Sequence, residues 1–233
     1  MLSKRLKILA SYISKNDKVG DIGTDHGFIP IYLIKNNILD YVIASDLNKD
    51  PLENARQEIS KEGILDNVDL RLGSGFTPYK LGEIDTAIIA GMGGKLIRQI
   101  LKNNKNHLKH IDKLILQPMK GTYNLRKWLL ENGYELKDEK LIKEKNIFYE
   151  IIYAKKDTIK PYDKKVLEFG RNMLKKDDPI SLEYIDKKIN KFEEIVKNIS
   201  KHGGSMSQDK KQEFINKLDV YKEVKECLLT QKK

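Results

Sequence analysis

The stretch Asp21-Ile22-Gly23-Thr24-Asp25-His26-Gly27 decides how the rest of the chain is interpreted. It closes a β-rich run and combines an acidic residue and two glycines with a carboxylate and an imidazole between them. Glycine lets the backbone approach a ligand closely because it has no Cβ atom. The stretch therefore predicts a strand that ends at a ligand site, with Asp25 and His26 directed into that site.

Short β-rich runs alternate with helical patterns from residue 18 to about residue 155, which is typical of βαβ units around a mostly parallel sheet. Helices are expected to begin near Gly27, Pro51, Gly93 and Gly121. The last two β-rich runs are expected to close the sheet as an antiparallel pair. The predicted strands are Val19–Gly23, Tyr41–Asp46, Val68–Leu72, Asp85–Ala90, Lys113–Gln117, Tyr134–Ile142 and Phe148–Ala154.

The composition changes in the polar segment that ends at Pro161, and two helical patterns with narrow apolar seams follow it. The break at 202–205, which reads His-Gly-Gly-Ser, favours an antiparallel hairpin of coiled-coil type, and a parallel dimer seam is the alternative. The expected architecture is a Rossmann-like α/β domain over 1–158, with a seven-stranded and mostly parallel sheet. A helical hairpin domain over 159–233 follows it, joined through a short helix around Val166–Leu174.

The charge balance narrows the classes of partner. Lys and Arg number 44 against 34 Asp and Glu, which gives a formal charge of +10 and favours contact with a polyanion such as nucleic acid. The mean hydropathy is −0.56 and no long apolar run occurs, so we expect a soluble, cytoplasmic chain without a membrane span or signal peptide. The single Cys227 and four scattered His predict neither a disulfide nor a metal site.

A second carboxylate, Asp46, ends the second predicted strand and is suited to accept the ribose hydroxyls of a nucleoside-containing cofactor. Nicotinamide dinucleotides and S-adenosylmethionine both meet that description. A dinucleotide site places a glycine where this chain has Asp25, whose charge would repel a pyrophosphate. Asp21, two residues before Gly23, instead suits the ammonium of a methionine moiety. The sequence therefore favours S-adenosylmethionine.

Two further glycine-containing turns follow the third and fourth strands. Ser74 is placed to bond an adenine amine, with Phe76 or Leu72 covering a face of the ring, and a simple turn is the alternative. The loop at 91–94 reads Gly-Met-Gly-Gly and lacks the Asn or Asp with Pro-Pro that grips an exocyclic adenine amine, which disfavours that target. The residues expected to bind the cofactor are Asp21, Gly23, Gly27, Asp46, Leu47, Gly73, Ser74, Gly75, Gly91 and Met92.

Five segments together resemble the bacterial tRNA (adenine-22, N1)-methyltransferases over the whole chain. They are residues 2–6 (LSKRL), 21–26 (DIGTDH), 89–94 (IAGMGG), 116–118 (LQP) and 126–129 (RKWL). The resemblance implies a class I methyltransferase domain with a C-terminal coiled-coil hairpin, S-adenosylmethionine as methyl donor and tRNA as substrate. Phe28 and Ser74 depart from the Tyr and Asp that the family often has at these positions.

Adenine N1 carries a lone pair and no proton, so it can attack the sulfonium methyl directly. Asp25 is the candidate to accept from the adenine amine and offset the charge that develops, and a helix N-cap is its alternative role. His26, Phe28 and Gln117 complete the predicted catalytic set. His26 would orient the base, Phe28 would cover a flipped adenine, and Gln117 would read the edge of the base. The alternatives are a loop histidine, core packing and a strand-end amide, respectively.

Phosphate contacts are expected collectively from basic residues near the cofactor face, and a solvated surface charge is the alternative for any single one of them. Those near the face are Lys4, Arg5, Lys7, Lys120, Arg126 and Lys127. The Lys-rich hairpin is expected to grip another part of the tRNA. The chain is expected to act as a monomer without an obligate protein partner. The competing hypotheses are a methyltransferase for another RNA base or a small metabolite, a non-catalytic tRNA-binding protein on this fold, and a nicotinamide oxidoreductase.

Overall fold

The computed structural model describes residues 2–202 and 208–230, which divide into two compact units. The first unit extends to Met173 and the second begins at Leu174, so the division lies later than the predicted boundary between 158 and 159. The reason is the short helix at 164–169, whose Leu167 side chain is part of the core of the first unit. The carbonyl oxygen of Leu167 also accepts a hydrogen bond from Arg126 in that unit.

One seven-stranded sheet runs through the first unit in the order β3-β2-β1-β4-β5-β7-β6. Strands β1 to β5 are parallel, and β7 pairs antiparallel with both β5 and β6. This arrangement confirms the predicted fold, with strand ends that differ from the predicted ones by one or two residues. The strands are β1 (Val19–Ile22), β2 (Val42–Asp46), β3 (Val68–Leu72), β4 (Thr86–Met92), β5 (Lys113–Pro118), β6 (Tyr134–Glu144) and β7 (Ile147–Lys156).

Helices cover both faces of this sheet. Ile88 and Ile89 of β4 belong to different core clusters because successive side chains of a strand point to opposite faces. Residues of α1, α2 and α3 share the cluster of Ile88, and residues of α4, α6 and α7 share that of Ile89. These helices, with the short α5, are α1 (Lys4–Ala10), α2 (Phe28–Lys35), α3 (Lys49–Lys61), α4 (Gly94–Asn103), α5 (Lys105–Leu108), α6 (Thr122–Glu131) and α7 (Lys164–Phe169).

The strand order reverses between β1 and β4, which are neighbours in the sheet but are separated in sequence by β2 and β3. In open α/β sheets, ligands bind beyond the carboxyl ends of the strands at such a reversal. The loops after β1 and β4 begin with Gly23 and Gly93. The topology therefore places the glycine-containing segments of the sequence at one edge of the sheet.

The second unit contains α8 (Pro179–His202) and α9 (Gln208–Leu229). The early part of α8 pairs with the late part of α9, since Asp186 binds Lys225 at 2.7 Å and Glu193 binds Lys222 at 3.0 Å. The Phe192 ring lies 5.1 Å from that of Tyr221, so the apolar seam is filled within the chain, as an antiparallel hairpin requires. The predicted Gly-Gly break itself lies outside the described residues. Within 2–202 and 208–230, no helix combines the length and apolarity needed to cross a bilayer.

Candidate active site

The loop after β1 is fastened to the end of β2 by main-chain hydrogen bonds. The amides of Gly23 and Thr24 donate to the carbonyl oxygen of Ser45 at 2.8 and 3.0 Å. The next amide, that of Asp25, donates to the Asp46 carboxylate at 3.4 Å. The structure thus brings Asp25 and Asp46 together at the edge where the strand order reverses.

The Asp21 carboxylate is buried beneath this loop, with 4% of the residue exposed. Burial raises the pKa of Asp21 to about 6, and the nearby Asp46 carboxylate adds to the rise. The Thr24 hydroxyl, which donates to Asp21 at 2.7 Å, opposes it. A carboxylate with such a pKa is incompletely compensated, and a cationic ligand brought beside it would stabilise its ionised form. The position therefore suits the ammonium group predicted to bind there.

Gly23 connects the loops after β1 and β4. Its φ is +78°, a left-handed conformation that other residues rarely adopt, and a Cβ at this position would overlap the methyl group of Met92. Met92 is the last residue of β4. The close approach of these two predicted cofactor residues therefore depends on glycine at position 23.

Asp25, His26 and Phe28 lie together on the surface of the same loop. The side chains of Asp25 and His26 are 67% and 43% exposed, and His26 Nε2 lies 3.8 Å from an Asp25 oxygen. The His26 and Phe28 rings are stacked, with centroids 5.2 Å apart. Helix α2 begins after Gly27, which is its N-cap and has no side chain to bond the helix. The alternative role of Asp25 as the N-cap is therefore wrong, because the N-cap position is occupied by Gly27, two residues later.

The ends of β2 and β3 form the neighbouring part of this edge. The Gly73 amide donates to the carbonyl oxygen of Asp46 at 2.9 Å, which joins the two predicted cofactor segments. Ser74 lies in a tight turn closed by the Thr77 hydroxyl, with Gly75 following at φ +54°. Two residues were considered for covering an adenine. The prediction for Phe76 is wrong because its side chain is fully buried in the core. Leu72 is 47% exposed, as is Leu47 at 64%.

Gly91 forms a bulge near the end of β4. The pairing with β5 passes from Ala90 to Met92 and leaves Gly91, at φ +77°, without a partner in the ladder. Its amide donates instead to the Gln117 side-chain oxygen at 3.2 Å. Beyond the bulge the loops after β4 and β5 remain joined, because the Met119 amide donates to the Met92 oxygen at 2.8 Å.

The Gln117 side chain is fully buried and engaged within the protein. The same oxygen that accepts from Gly91 accepts from Arg5 Nη1 at 2.5 Å. The Gln117 amide nitrogen donates to the Met119 sulfur at 3.4 Å. The predicted catalytic role of Gln117 is corrected to support of the Gly91 bulge. The predicted phosphate contact of Arg5 is also wrong, because its guanidinium is directed inward to Gln117.

Arg126 is also buried, and its predicted phosphate contact is wrong. It is 0% exposed and binds Glu139 at 2.7 Å and Glu150 at 2.9 Å. A buried guanidinium needs such partners to offset its lost hydration, which is why it lies between two carboxylates. The remaining predicted phosphate ligands have exposed side chains: Lys4, Lys7, Lys120 and Lys127.

Two residues at this edge were not found from the sequence. Met119 is half-exposed beside the Gly91 bulge, and its position directly after Gln117 and Pro118 was an available signal. The Tyr79 hydroxyl lies 2.9 Å from the Ser45 hydroxyl and 3.4 Å from the Asp21 carbonyl oxygen, supporting β1 and β2 from below. Tyr79 lies in an irregular segment without a sequence signal. No metal-binding cluster of His, Cys, Asp or Glu occurs among the described residues.

The parallel sheet, the reversed strand order and the carboxylates at the ends of β1 and β2 define a Rossmann-like protein with a site for a nucleoside-containing cofactor. The family model described as tRNA (adenine(22)-N(1))-methyltransferase matches residues 19–223. The chain therefore belongs to the tRNA (adenine(22)-N(1))-methyltransferase family, and it is an S-adenosylmethionine-dependent enzyme.

Individual relatives agree with this assignment. The Bacillus subtilis (strain 168) tRNA (adenine(22)-N(1))-methyltransferase is 31% identical over 96% of both chains. A solved structure of an uncharacterised Listeria monocytogenes protein has a TM-score of 0.90 and 32% identity, covering 96% of this chain and 99% of that one. The structure of TrmK from M. capricolum in complex with S-adenosyl-homocysteine has a TM-score of 0.85 and 27% identity, covering 99% of this chain and 100% of that one.

Proposed function

We propose that this chain transfers the methyl group of S-adenosylmethionine to N1 of adenine 22 in tRNA. Family membership and near full-length similarity to the Bacillus subtilis enzyme of that name support the proposal. The observation that carries it is the exposed carboxylate of Asp25, a residue that does not cap α2 and whose main-chain amide binds Asp46 at the strand-order reversal. A carboxylate in that position can act on a bound base.

The residues at this edge fit S-adenosylmethionine, which carries an ammonium and a sulfonium charge. Asp21 would hold the ammonium, since it is a buried carboxylate whose pKa is raised by burial. Asp46 would accept the ribose hydroxyls, and the turn at Gly73 and Ser74 would hold the adenine with Leu47 and Leu72 beside it. The remaining proposed contacts are Gly23, Gly27, Gly75, Gly91 and Met92. When bound, the cofactor supplies a methyl group on a positively charged sulfur.

The chain's own task is to align adenine N1 and to stabilise the charge that the ring acquires. N1 has no proton to remove, so no residue needs to act as a general base. Asp25 would accept a hydrogen bond from the adenine amine and offset the positive charge of the ring. The main-chain bond from Asp25 to Asp46 holds the carboxylate-bearing residue in place before the base arrives.

His26 and Phe28 would provide the surface against which the base stacks. Their rings are already stacked with an interplanar angle of 21°, and Phe28 is 44% exposed. A base whose Watson-Crick edge is methylated must leave its helix, and an aromatic platform offsets part of the lost stacking. This role needs an aromatic ring at position 28 but no hydroxyl group.

The tRNA would be held by exposed lysines around the site and by the helical hairpin. Lys4, Lys7, Lys120 and Lys127 are the proposed phosphate contacts, in keeping with the formal charge of +10. We propose that 1–158 contains the methyltransferase machinery and that the hairpin within 159–233 grips another part of the tRNA. The proposed acting form is a cytoplasmic monomer.

Methyl transfer to tRNA transcripts, followed by nucleoside analysis, tests the proposed function. The expected product is N1-methyladenosine, and a transcript with guanine at position 22 should accept no methyl group. Product at N6, or transfer to the guanine-22 transcript, would point to another base or atom. Cofactor binding without transfer to any tRNA would favour the non-catalytic alternative.

Affinity for S-adenosylmethionine is expected to fall as the pH drops below about 6, the pKa of Asp21 in the free protein. The ammonium binds ionised Asp21, so each further pH unit should weaken binding about tenfold. The folding stability of the free protein should change in the opposite direction. Because folding raises the pKa of Asp21 from 3.8 to about 6, the free energy of unfolding falls as the pH rises between these values. Calorimetry across this range, with Asp21→Asn as the variant that should bind weakly at every pH, checks the prediction. A wild-type affinity that stays flat through pH 6 would contradict it.

Gly23→Ala is expected to weaken S-adenosylmethionine binding at least about tenfold, because the added methyl group displaces Met92 and strains a left-handed backbone by about 1–2 kcal/mol. Gly63→Ala is the matched control. Gly63 has a similar φ of +70° at the end of α3, and a Cβ added there would meet no described atom within 4 Å. The control variant should lose similar stability and keep its cofactor affinity in calorimetry. Equal losses of affinity in both variants would contradict a specific role for Gly23.

A further inference from the structure

Strands β6 and β7 extend beyond the rest of the sheet at the edge that carries the active site. Pairing between β5 and β7 ends at Leu116 with Ile152, whereas pairing between β6 and β7 continues to Glu144 with Ile147. Ile147 is five residues beyond Ile152, a distance of roughly 17 Å at about 3.4 Å per residue. Strand β5 continues only to Pro118, so the hairpin projects roughly 10 Å past the end of β5.

This projection, residues 143–148, is an ordered hairpin. Lys145 and Asn146 have φ values of +49° and +71°, which match the two-residue turn that suits the twist of paired strands. Helix α1 braces one face, since the Arg5 amide donates to Glu144 at 2.8 Å and the Arg5 guanidinium lies 5.2 Å from the Tyr149 ring centroid. The hairpin is therefore held in position beside the active site.

The charged side chains of the projection favour the binding of an anion. Lys145 is exposed at the turn, and the Lys143 ammonium lies 5.8 Å from the Phe148 ring centroid on the neighbouring strand. Of the nearby carboxylates, Glu144 accepts a hydrogen bond from the Arg5 amide, and Glu150 binds Arg126, whose guanidinium offsets part of the negative charge. Lys4, next to Arg5 at the start of α1, adds another exposed positive charge.

We propose that this projection is an RNA clamp that grips phosphates of the tRNA next to the nucleotide entering the active site. The proposal rests on the proposed function, because it needs tRNA as the substrate. Strand β7 is the immediate neighbour of β5, so at about 4.8 Å per strand the hairpin lies roughly 10 Å to the side of β4, and the projection along the strands places its turn roughly 15 Å from the Gly91 bulge. Lys143 and Lys145 bind the backbone and read no base, and their contribution is sensitive to salt.

The test compares two double substitutions that remove the same charge. Lys143→Gln with Lys145→Gln changes the projection, and Lys105→Gln with Lys109→Gln changes exposed lysines near α5 at the opposite edge of the sheet. The hairpin pair should raise KM for tRNA about tenfold and make the log-log salt dependence of tRNA binding shallower by about two. Its kcat, affinity for S-adenosylmethionine and melting temperature should match wild type, and the α5 pair should leave all these quantities unchanged.

Three results would overturn the clamp: equal effects in both pairs, a fall in kcat or cofactor affinity in the hairpin pair, or no change in KM. Failure of the proposed function is a separate outcome, in which the wild type binds S-adenosylmethionine but methylates no tRNA. In that case the clamp proposal is tested by measuring tRNA binding of the same two double variants by filter retention. Weaker retention by the hairpin pair alone supports it, and equal retention overturns it.

Discussion

Asp25→Asn is expected to lower kcat for tRNA methylation about 100-fold, a typical loss when one preorganised electrostatic partner of the transition state is removed. The amide keeps the size of the side chain but cannot offset the positive charge that develops on adenine. Asn is the suitable replacement because it tolerates the left-handed backbone of this position, where φ is +54°. Single-turnover methylation, with cofactor affinity measured by calorimetry, provides the test.

Asp40→Asn is the matched control for Asp25→Asn. Asp40 is an exposed carboxylate just before β2, at the opposite edge of the sheet, and its substitution should leave kcat unchanged. The cofactor affinity of the Asp25 variant should stay within about threefold of wild type, since Asp21 and Asp46 are intact. An unchanged kcat would restrict Asp25 to shaping the loop, and a large loss of cofactor affinity would make it a cofactor ligand.

Arg126→Ala is expected to destabilise the first unit by about 3–5 kcal/mol, because it leaves Glu139 buried without its cationic partner. Glu139 is 1% exposed, and burial already raises its pKa. Loss of the guanidinium also removes its bonds to the carbonyl oxygens of Leu167 and Glu168, which attach α7 to the first unit. Urea denaturation followed by circular dichroism measures the effect.

Lys127→Ala, one residue along the same helix, serves as the comparison. Lys127 is exposed and pairs loosely with Glu131 at 3.7 Å, so its removal should change the free energy of unfolding by less than about 0.5 kcal/mol. Its removal should instead weaken tRNA binding. A folded Arg126 variant with wild-type stability and weakened tRNA binding would show that Arg126 contacts RNA after all.

The strands could be predicted because parallel strands buried on both faces contain short continuous apolar runs, as in β4 and β5. The position of the site could be predicted for a related reason. The carboxyl ends of neighbouring parallel strands meet at one edge, so Asp21, Asp46 and Gly91 had to lie near each other once the strands were assigned. The exact strand ends and the division at Met173 depend on long-range contacts, which local pattern does not contain.

The direction of individual side chains could not be predicted. Arg5 and Arg126 belong to segments that lie near the site, and a basic residue in such a segment suggests a phosphate contact. Both point inward because of partners on other elements of the fold. Gln117 is 112 residues from Arg5, and Glu139 lies on β6, which follows the helix of Arg126. Gln117 itself is engaged because the Gly91 bulge frees an amide that needs an acceptor.

The junction of the loops after β4 and β5 has a consequence for inhibitor design. The Gly94 amide donates to the Lys120 oxygen at 2.7 Å, and a Cβ on Gly94 would lie only 2.8 Å from the oxygens of Lys120 and Gly121. A compound designed to occupy this junction therefore meets main-chain atoms, which no side-chain rotation can move aside. Rigid compounds whose shape already matches the junction should bind more tightly than flexible ones.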